Sequence, residues 1–242
     1  MKAQSKNISV YAMIPARFAA TRFPGKLMQL LGKKTVIRHV YDNAVSSGMF
    51  DDVFVVTDSG LIFGEIVSTG GKAIMSKKKH ASGSDRIAEA VADINADIIV
   101  NVQGDEPFLK KEPLEKLIRL FDDPAVQVAS LMRKSTSEEA GDPNNVKVVV
   151  DKNNFALYFS RSPIPFARSG PEQYYIHVGV YAYRKEMLLW FTDCPPSFLE
   201  QAESLEQLRF LENGKKIKMA ETDYVSIAID TKADLEKARQ LI

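Results

Sequence analysis

Through the first half of the chain, short apolar runs rich in β-branched and aromatic residues alternate with stretches whose apolar positions recur every three to four residues. Ile8 to Ile14 (Ile-Ser-Val-Tyr-Ala-Met-Ile) predicts a strand. Thr35 to Gly48 predicts a helix: Val36, Ile37, Val40, Ala44 and Val45 form the inward stripe, Thr35 is the cap and Gly48 the stop. Asp52 to Thr57 is nearly all apolar, as in a strand covered on both faces. Phe63 to Ser68 reads as part of a helix and Lys72 to Met75 as a short strand. Ser84 to Asn95 reads as a helix with Ile87, Ala88, Val91 and Ala92 inward, and Asp97 to Val102 as a further strand. Pro113 to Asp122 is a helix with Pro in its first turn, and Gln127 to Met132 a strand. This alternation predicts an α/β fold, a mostly parallel Rossmann-like sheet with helices on both faces.

From Asn145 the pattern becomes mixed. Val146 to Val150 and Phe155 to Phe159 flank Asp151-Lys152-Asn153-Asn154, a hairpin signal. Pro163, Pro165 and Pro171 make an irregular arm before a strand over Tyr175 to Tyr183. Ser197-Phe198-Leu199-Glu200 is a capping box that opens a helix expected to run through Arg209. Phe198, Leu199, Ala202, Leu205 and Leu208 would face inward there, with Glu206 on the flank beside Arg209 as a possible partner. Val225 to Ile229 reads as a strand leading into a last helix, Lys232 to Leu241. With no repeat or low-complexity linker, residues 1–242 are expected to form a single domain whose elaborated part lies around residues 155–185.

The composition narrows the class of partner. Hydrophobic residues at 45% and charged residues at 26% suit a globular core, and a net charge of +1 gives no strongly basic face for nucleic acid or an anionic membrane. The single cysteine, Cys194, leaves no intrachain disulfide and no cysteine-based zinc site. No stretch approaches the roughly 20 apolar residues of a membrane helix, and no leader pattern is seen, so no membrane insertion and a cytoplasmic location are expected.

Local clusters must therefore carry the chemistry. The loop after the first strand holds Arg17, Thr21, Arg22, a Pro24-Gly25 turn and Lys26, a composition suited either to phosphates or to plain solvent exposure. It contains neither a Walker-type nor a GxGxxG pattern. Asp105, in Asn101-Val102-Gln103-Gly104-Asp105-Glu106-Pro107, is brought by its strand to the same sheet edge, as a Mg²⁺ ligand or a turn residue. Ser82-Gly83-Ser84-Asp85-Arg86 opens a helix, where backbone N–H groups suit a nucleotide and serines suit capping. Arg161 and Arg168 flank a proline turn and could fork a carboxylate or simply face water. His177, Gly179, Tyr181 and Tyr183 share one strand face. Asp230 is either a helix cap or a second metal ligand.

The order Ile14-Pro15-Ala16-Arg17 to Pro24-Gly25-Lys26 resembles the signature loop of sugar-activating nucleotidyltransferases, in the version of the 3-deoxy-manno-octulosonate cytidylyltransferases. Further segments keep family order. They are Ser82 to Arg86, Gln103-Gly104-Asp105-Glu106-Pro107, Phe159-Ser160-Arg161 to Ile164-Pro165, His177 to Tyr181, Leu205-Glu206-Gln207-Leu208-Arg209, and Asp230-Thr231 to Asp234-Leu235. The resemblance implies an enzyme joining CTP to an acidic octulosonate sugar, Kdo or a relative, with release of pyrophosphate, for lipopolysaccharide synthesis. It implies nucleotide contacts from Ala16, Arg17, Thr21, Arg22, Lys26, Ser82, Gly83, Arg86, Gln103 and Asp105, with Lys26, Arg22 and Asp105 catalytic. It also implies sugar contacts from Arg161, Arg168, His177, Tyr181, Glu206 and Gln207, Mg²⁺ on Asp105 and Asp230, and a homodimer built with the arm around 155–185. Four positions depart from the pattern: Ala20, Ala81, Ile176 and Lys232 stand where relatives carry Ser, Gln, Lys or Arg, and Pro. Ala81 and Ile176, beside the expected sugar site, raise the 8-amino-8-deoxy form of Kdo as acceptor. The rival readings are a CMP-sialate-type synthetase and a non-catalytic nucleotide-binding regulator.

Overall fold

The computed structural model describes residues 8–19, 22–80, 82–169 and 173–242. The chain falls into two compact units, one of Met1–Leu109, Arg184–Leu188 and Ile227–Ile242, the other of Lys110–Tyr183 and Leu189–Ser226.

In the first unit the elements run β1 (Val10–Ala16), β2 (Leu30–Leu31), β3 (Lys34–Thr35), α1 (Val36–Ser46), β4 (Asp52–Thr57), α2 (Gly60–Ser68), β5 (Ala73–Met75), α3 (Gly83–Val91) and β6 (Ile98–Asn101). Strands β6, β1, β4 and β5 lie side by side, all parallel. The whole of β6 and most of β1 are buried, which is why these runs lack the alternation of a half-exposed strand. Helix α1 starts where expected because Thr35 Oγ1 accepts the Arg38 N–H at 3.2 Å. Two expected core residues face solvent instead. Val45, in the last turn of α1, is 51% exposed. Ala92 is exposed because α3 ends at Val91, short of the expected Asn95.

The second unit carries α4 (Lys111–Arg119), β7 (Val128–Ser135), α5 (Ser137–Gly141), β8 (Lys147–Val150), β9 (Ala156–Ser160), β10 (Tyr174–Arg184) apart from its last residue, the end of α6 (Lys185–Asp193), α7 (Phe198–Glu203), α8 (Leu208–Glu212) and β11 (Ile217–Glu221). The last helix, α9 (Lys232–Arg239), belongs to the first unit. Strand β11 is parallel to β7, whereas β7–β10, β10–β8 and the β8–β9 hairpin are antiparallel, so this half is mixed as its sequence suggests.

Three expectations are corrected here. The single helix from Ser197 through Arg209 is two, α7 and α8, broken at Ser204, whose φ of 52° is left-handed. Phe198 is consequently 78% exposed and Ala202 is exposed, while Leu205 and Leu208 stay buried. The Arg209 guanidinium forks onto Glu200, with Nε 2.7 Å and Nη2 2.5 Å from the two carboxylate oxygens, and Nη1 reaches the carbonyls of Phe191 and Cys194. Residues nine apart on one continuous helix point to opposite sides, about 180° apart. The break lets this buried ion pair close. Second, Val225 to Ile229 forms no strand; Ile229 N–H instead donates to the Asp105 carbonyl at 2.9 Å. Third, the cap of α9 is Thr231, whose hydroxyl accepts Asp234 N–H at 3.2 Å, and not Asp230.

Candidate active site

In a parallel sheet the loops leaving the carboxyl ends of neighbouring strands share one edge, and here those of β1, β5 and β6 do so in the first unit. Pro15, near the end of β1, is the common wall. A Cβ on Gly104 would stand 2.9 Å from the Pro15 carbonyl oxygen, and one on Gly83 would stand 3.2 Å from Pro15 Cγ. Gly104 is thus required for its loop to close on the Pro15 backbone, and Gly83 lets the other loop pack tightly on the Pro15 ring.

On that edge two carboxylates converge on one lysine. Lys26 Nζ donates to Asp105 Oδ2 at 2.6 Å and to Asp230 Oδ1 at 2.8 Å, while Arg22 Nη2 donates to Asp230 Oδ2 at 2.8 Å. Burial works against the lysine charge, but Asp105 and then Asp230 outweigh it and raise its pKa above the usual value. The Lys26 side chain is 12% exposed and that of Arg22 is 70%, so the lysine contacts are shielded from water and the arginine contact is screened. The bond from Ile229 N–H to the Asp105 carbonyl sets Asp230 beside Asp105. Asp230 is held from its own side by Asp234 Oδ2, 3.2 Å from the Asp230 N–H.

The remaining nucleotide candidates have varied surroundings. Ala16 is buried at the end of β1, Arg17 is exposed and Gln103 is half-buried. Thr21, like Ala20 and Ala81, lies outside the described residues. The Ser82 hydroxyl is engaged in a capping box with Asp85. Arg86 is a buried strut whose Nη2 donates to Asp58 Oδ2 at 2.8 Å and whose Nη1 donates to Ser76 Oγ at 2.9 Å. These two side chains hold the amino end of α3 in place. Asp58 and Ser76, which follow β4 and β5, carried no motif that would have singled them out.

In the second unit His177, Tyr181 and Tyr183 share one side of β10 as the alternation predicts. The His177 ring stands edge-on to Phe159, centroids 5.1 Å apart, and 5.2 Å from Tyr181, which stacks on Tyr183 at 5.8 Å. The packed surroundings push the His177 pKa down to about 3, although part of the residue still reaches solvent. Burial raises the pKa values of both tyrosines well above the usual one, and the carboxylate of Glu206 adds to this. Glu206 is exposed in the turn between α7 and α8, whereas Gln207 is buried. At neutral pH the strand face therefore presents an uncharged imidazole and uncharged phenols.

Arg161 and Arg168 do not form a matched pair. The Arg161 guanidinium is spent on backbone carbonyls: Nε to Glu203 at 2.8 Å, Nη1 to Pro143 at 3.0 Å and Nη2 to Ser204 at 3.3 Å. Glu203 completes the clamp by accepting Ser160 Oγ–H at 2.7 Å and Arg161 N–H at 2.9 Å. The fully buried Lys147 adds bonds to the carbonyls of Arg161 and Asp142 at 2.6 and 2.9 Å, and burial lowers its pKa. Arg168 is exposed. Ile176 is 5% exposed and alternates with His177, so it stands on the other face of β10.

The cytidylyltransferase family profile matches residues 11–217. The chain is 59% identical over 241 residues to the 3-deoxy-manno-octulosonate cytidylyltransferase of Flavobacterium johnsoniae, covering 97% of this chain and 99% of that one. It is 53% identical to the enzyme of the same name from Christiangramia forsetii, covering 100% of both. A solved structure of CMP:2-keto-3-deoxy-manno-octonic acid synthetase complexed with CTP superposes with a TM-score of 0.93 at 42% identity, over 96% of this chain and 98% of that one. The 4-diphosphocytidyl-2C-methyl-D-erythritol synthase of Anaerococcus prevotii, at 16% identity and a TM-score of 0.65 over 97% and 98% of the two chains, shares the fold.

Proposed function

We propose that this chain, which belongs to the cytidylyltransferase family, transfers the CMP unit of CTP to 3-deoxy-manno-octulosonate (Kdo) and releases pyrophosphate, supplying an activated sugar for lipopolysaccharide. The observation that carries this reading is the convergence of Lys26, Arg22, Asp105 and Asp230 on the strand-end edge where the signature loop lies. A pure binding module has no evident need for two carboxylates aimed at one cation.

The anomeric hydroxyl of the sugar attacks the α-phosphorus of CTP in line. Its oxygen–phosphorus bond forms as the bond to the bridging oxygen of pyrophosphate breaks, and the hydroxyl proton passes to solvent. Arg17, Arg22 and Lys26 neutralise the triphosphate and the charge that grows on the departing part. Ser82 and Arg86 act through α3, fixing the backbone around Gly83 against which the base would rest. In the second unit the uncharged His177 and Tyr181, with Glu206, would bind sugar hydroxyls.

Magnesium fits the donor set. Among the described residues no cluster of three or more metal-ligating side chains occurs. Asp105 and Asp230 nevertheless both reach a single cation, the Lys26 ammonium, at 2.6 and 2.8 Å, and two carboxylates completed by nucleotide phosphates are a usual magnesium environment. Bound there, the ion would neutralise phosphate charge and orient the α-phosphate.

Kdo is preferred over its 8-amino form because Ile176 is turned away from the face that carries His177. The position of the enzyme in the cytoplasm follows from its nucleotide substrate; among the described residues no helix is long and apolar enough to cross a membrane. A homodimer through the arm around 155–185 is part of this reading. The deciding experiment incubates the purified chain with CTP, magnesium and Kdo. The expected products are one pyrophosphate and one CMP-Kdo per turnover, resolved by mass spectrometry. No product with Kdo or its 8-amino form would leave the regulator reading standing, and product only with a sialate would favour that synthetase.

A further inference from the structure

Strand β10 has a register shift against β7 between Val178 and Tyr181, and Ser130 of β7 lies opposite it. Ser130 is fully buried. Its Oγ is 2.9 Å from the Val180 carbonyl oxygen, 3.3 Å from that of Val178 and 2.9 Å from His177 Nε2. Three neighbours thus crowd one hydroxyl that has a single proton to give. Two are carbonyl oxygens, which can only accept; the ring nitrogen alone can carry a proton of its own. The arrangement that uses every group sends the hydroxyl proton to a carbonyl and has the imidazole donate from Nε2 to Oγ.

We infer that Ser130 is a positioning residue that fixes His177 as the Nε2–H tautomer, leaving Nδ1 as a lone-pair acceptor for a hydroxyl of the sugar. This rests on the reading of the His177 face as the acceptor site. The role is that of a holder, not a base. General bases work best with a pKa near the working pH, and that of this imidazole is far below neutrality. The ring orientation is fixed from the other side by Phe159, edge-on at 5.1 Å. A proton donor such as a sugar hydroxyl, and not a carboxylate, is the matching ligand chemistry, because the acceptor nitrogen has no proton to offer an anion. Ser130 sits in Val128-Ala129-Ser130-Leu131, an apolar strand in which a lone serine gives no warning of such a task.

The test is nitrogen-15 NMR of the imidazole groups in the full-length protein. The chain has only three histidines, and Asn substitution at His177 assigns its signals. Expected for the wild type is a single Nε2–H tautomer. In Ser130→Ala the tautomer balance shifts, and the KM for Kdo rises about tenfold with that for CTP unchanged, the size of one lost neutral hydrogen bond. Ser130→Thr, which keeps the hydroxyl, restores both. A wild-type Nδ1–H tautomer, or a Ser130→Ala protein that keeps the Nε2–H form and the wild-type KM, overturns the inference. Adding Kdo separates the two levels. A shift of the Nδ1 resonance supports the proposal, whereas the expected tautomer with no response at Nδ1 overturns His177 as a sugar contact and leaves the tautomer assignment intact.

Discussion

The two units treat polar side chains in opposite ways. In the first, full charges of both signs face one another across a few ångströms, Lys26 and Arg22 against Asp105 and Asp230, on a strand-end edge. In the second, Arg161 and Lys147 are bound to backbone carbonyls and Arg209 to Glu200, and the strand face that carries His177 is neutral. Under the proposed function this contrast would match two kinds of ligand. A triphosphate must be met by exchangeable charge, whereas a polyhydroxylated sugar is best met by fixed, uncharged donors and acceptors whose own partners are already satisfied.

The sharpest way to break this comparison is at the charged cluster. Asp105→Asn removes a carboxylate from both Lys26 and the proposed metal position while keeping the shape. A fall in kcat of at least about a thousandfold is expected, the scale of losing a principal transition-state contact, with the fold retained by circular dichroism. A loss under tenfold would mean the cluster is structural.

The next effect concerns the clamp in the second unit. Arg161→Gln takes the guanidinium away from three carbonyls and should cost about 2 kcal/mol of stability, seen as a lowered midpoint in urea unfolding, with the KM for CTP unchanged. If the midpoint holds and only the KM for Kdo rises, the guanidinium is a ligand group and the contrast drawn above is wrong for this residue.

The smallest effect is one of pH. The folded His177 has a pKa of about 3, below its ordinary 6.5, so its stabilising contribution is complete above 6.5 and is lost as pH falls towards 3. The KM for Kdo should accordingly stay flat between pH 6 and 8 in the wild type. A break near 6.5 that disappears in His177→Asn would show an exposed, titrating imidazole instead.

Much of the first unit could be read from the sequence, because alternating apolar runs and capped periodic stretches are direct consequences of parallel strands covered by helices. Thr35 and Ser82 act as caps as their positions suggest. The meeting of Lys26 with Asp105 was implied by two loops leaving neighbouring strands. The second unit was harder to read. The apolar periodicity from Phe198 to Leu208 continues straight through Ser204, and no Gly or Pro marks the break that the Glu200–Arg209 pair requires. Lys147 lies in a run of valines and resembles a polar interruption, yet it is fully buried. Arg161 reads as a ligand fork from its neighbours alone. Its partners at Pro143, Glu203 and Ser204 are remote in sequence, and no local pattern announces them. Contacts of that kind depend on tertiary placement, which periodicity does not carry.

Pro15 bears on inheritance and engineering as much as on geometry. Since Gly83 and Gly104 both close against it, the three loops at this edge form an interlocked set and not a row of exchangeable modules. A graft of the signature loop into another parallel-sheet scaffold would need glycine facing the carbonyl of position 15 and a small residue beside its ring. Exchange at Gly83 meets the Pro15 ring and should be relieved by a smaller residue at position 15, whereas exchange at Gly104 meets the Pro15 backbone carbonyl and should not, so positions 15 and 83 are free to vary together while Gly104 is not.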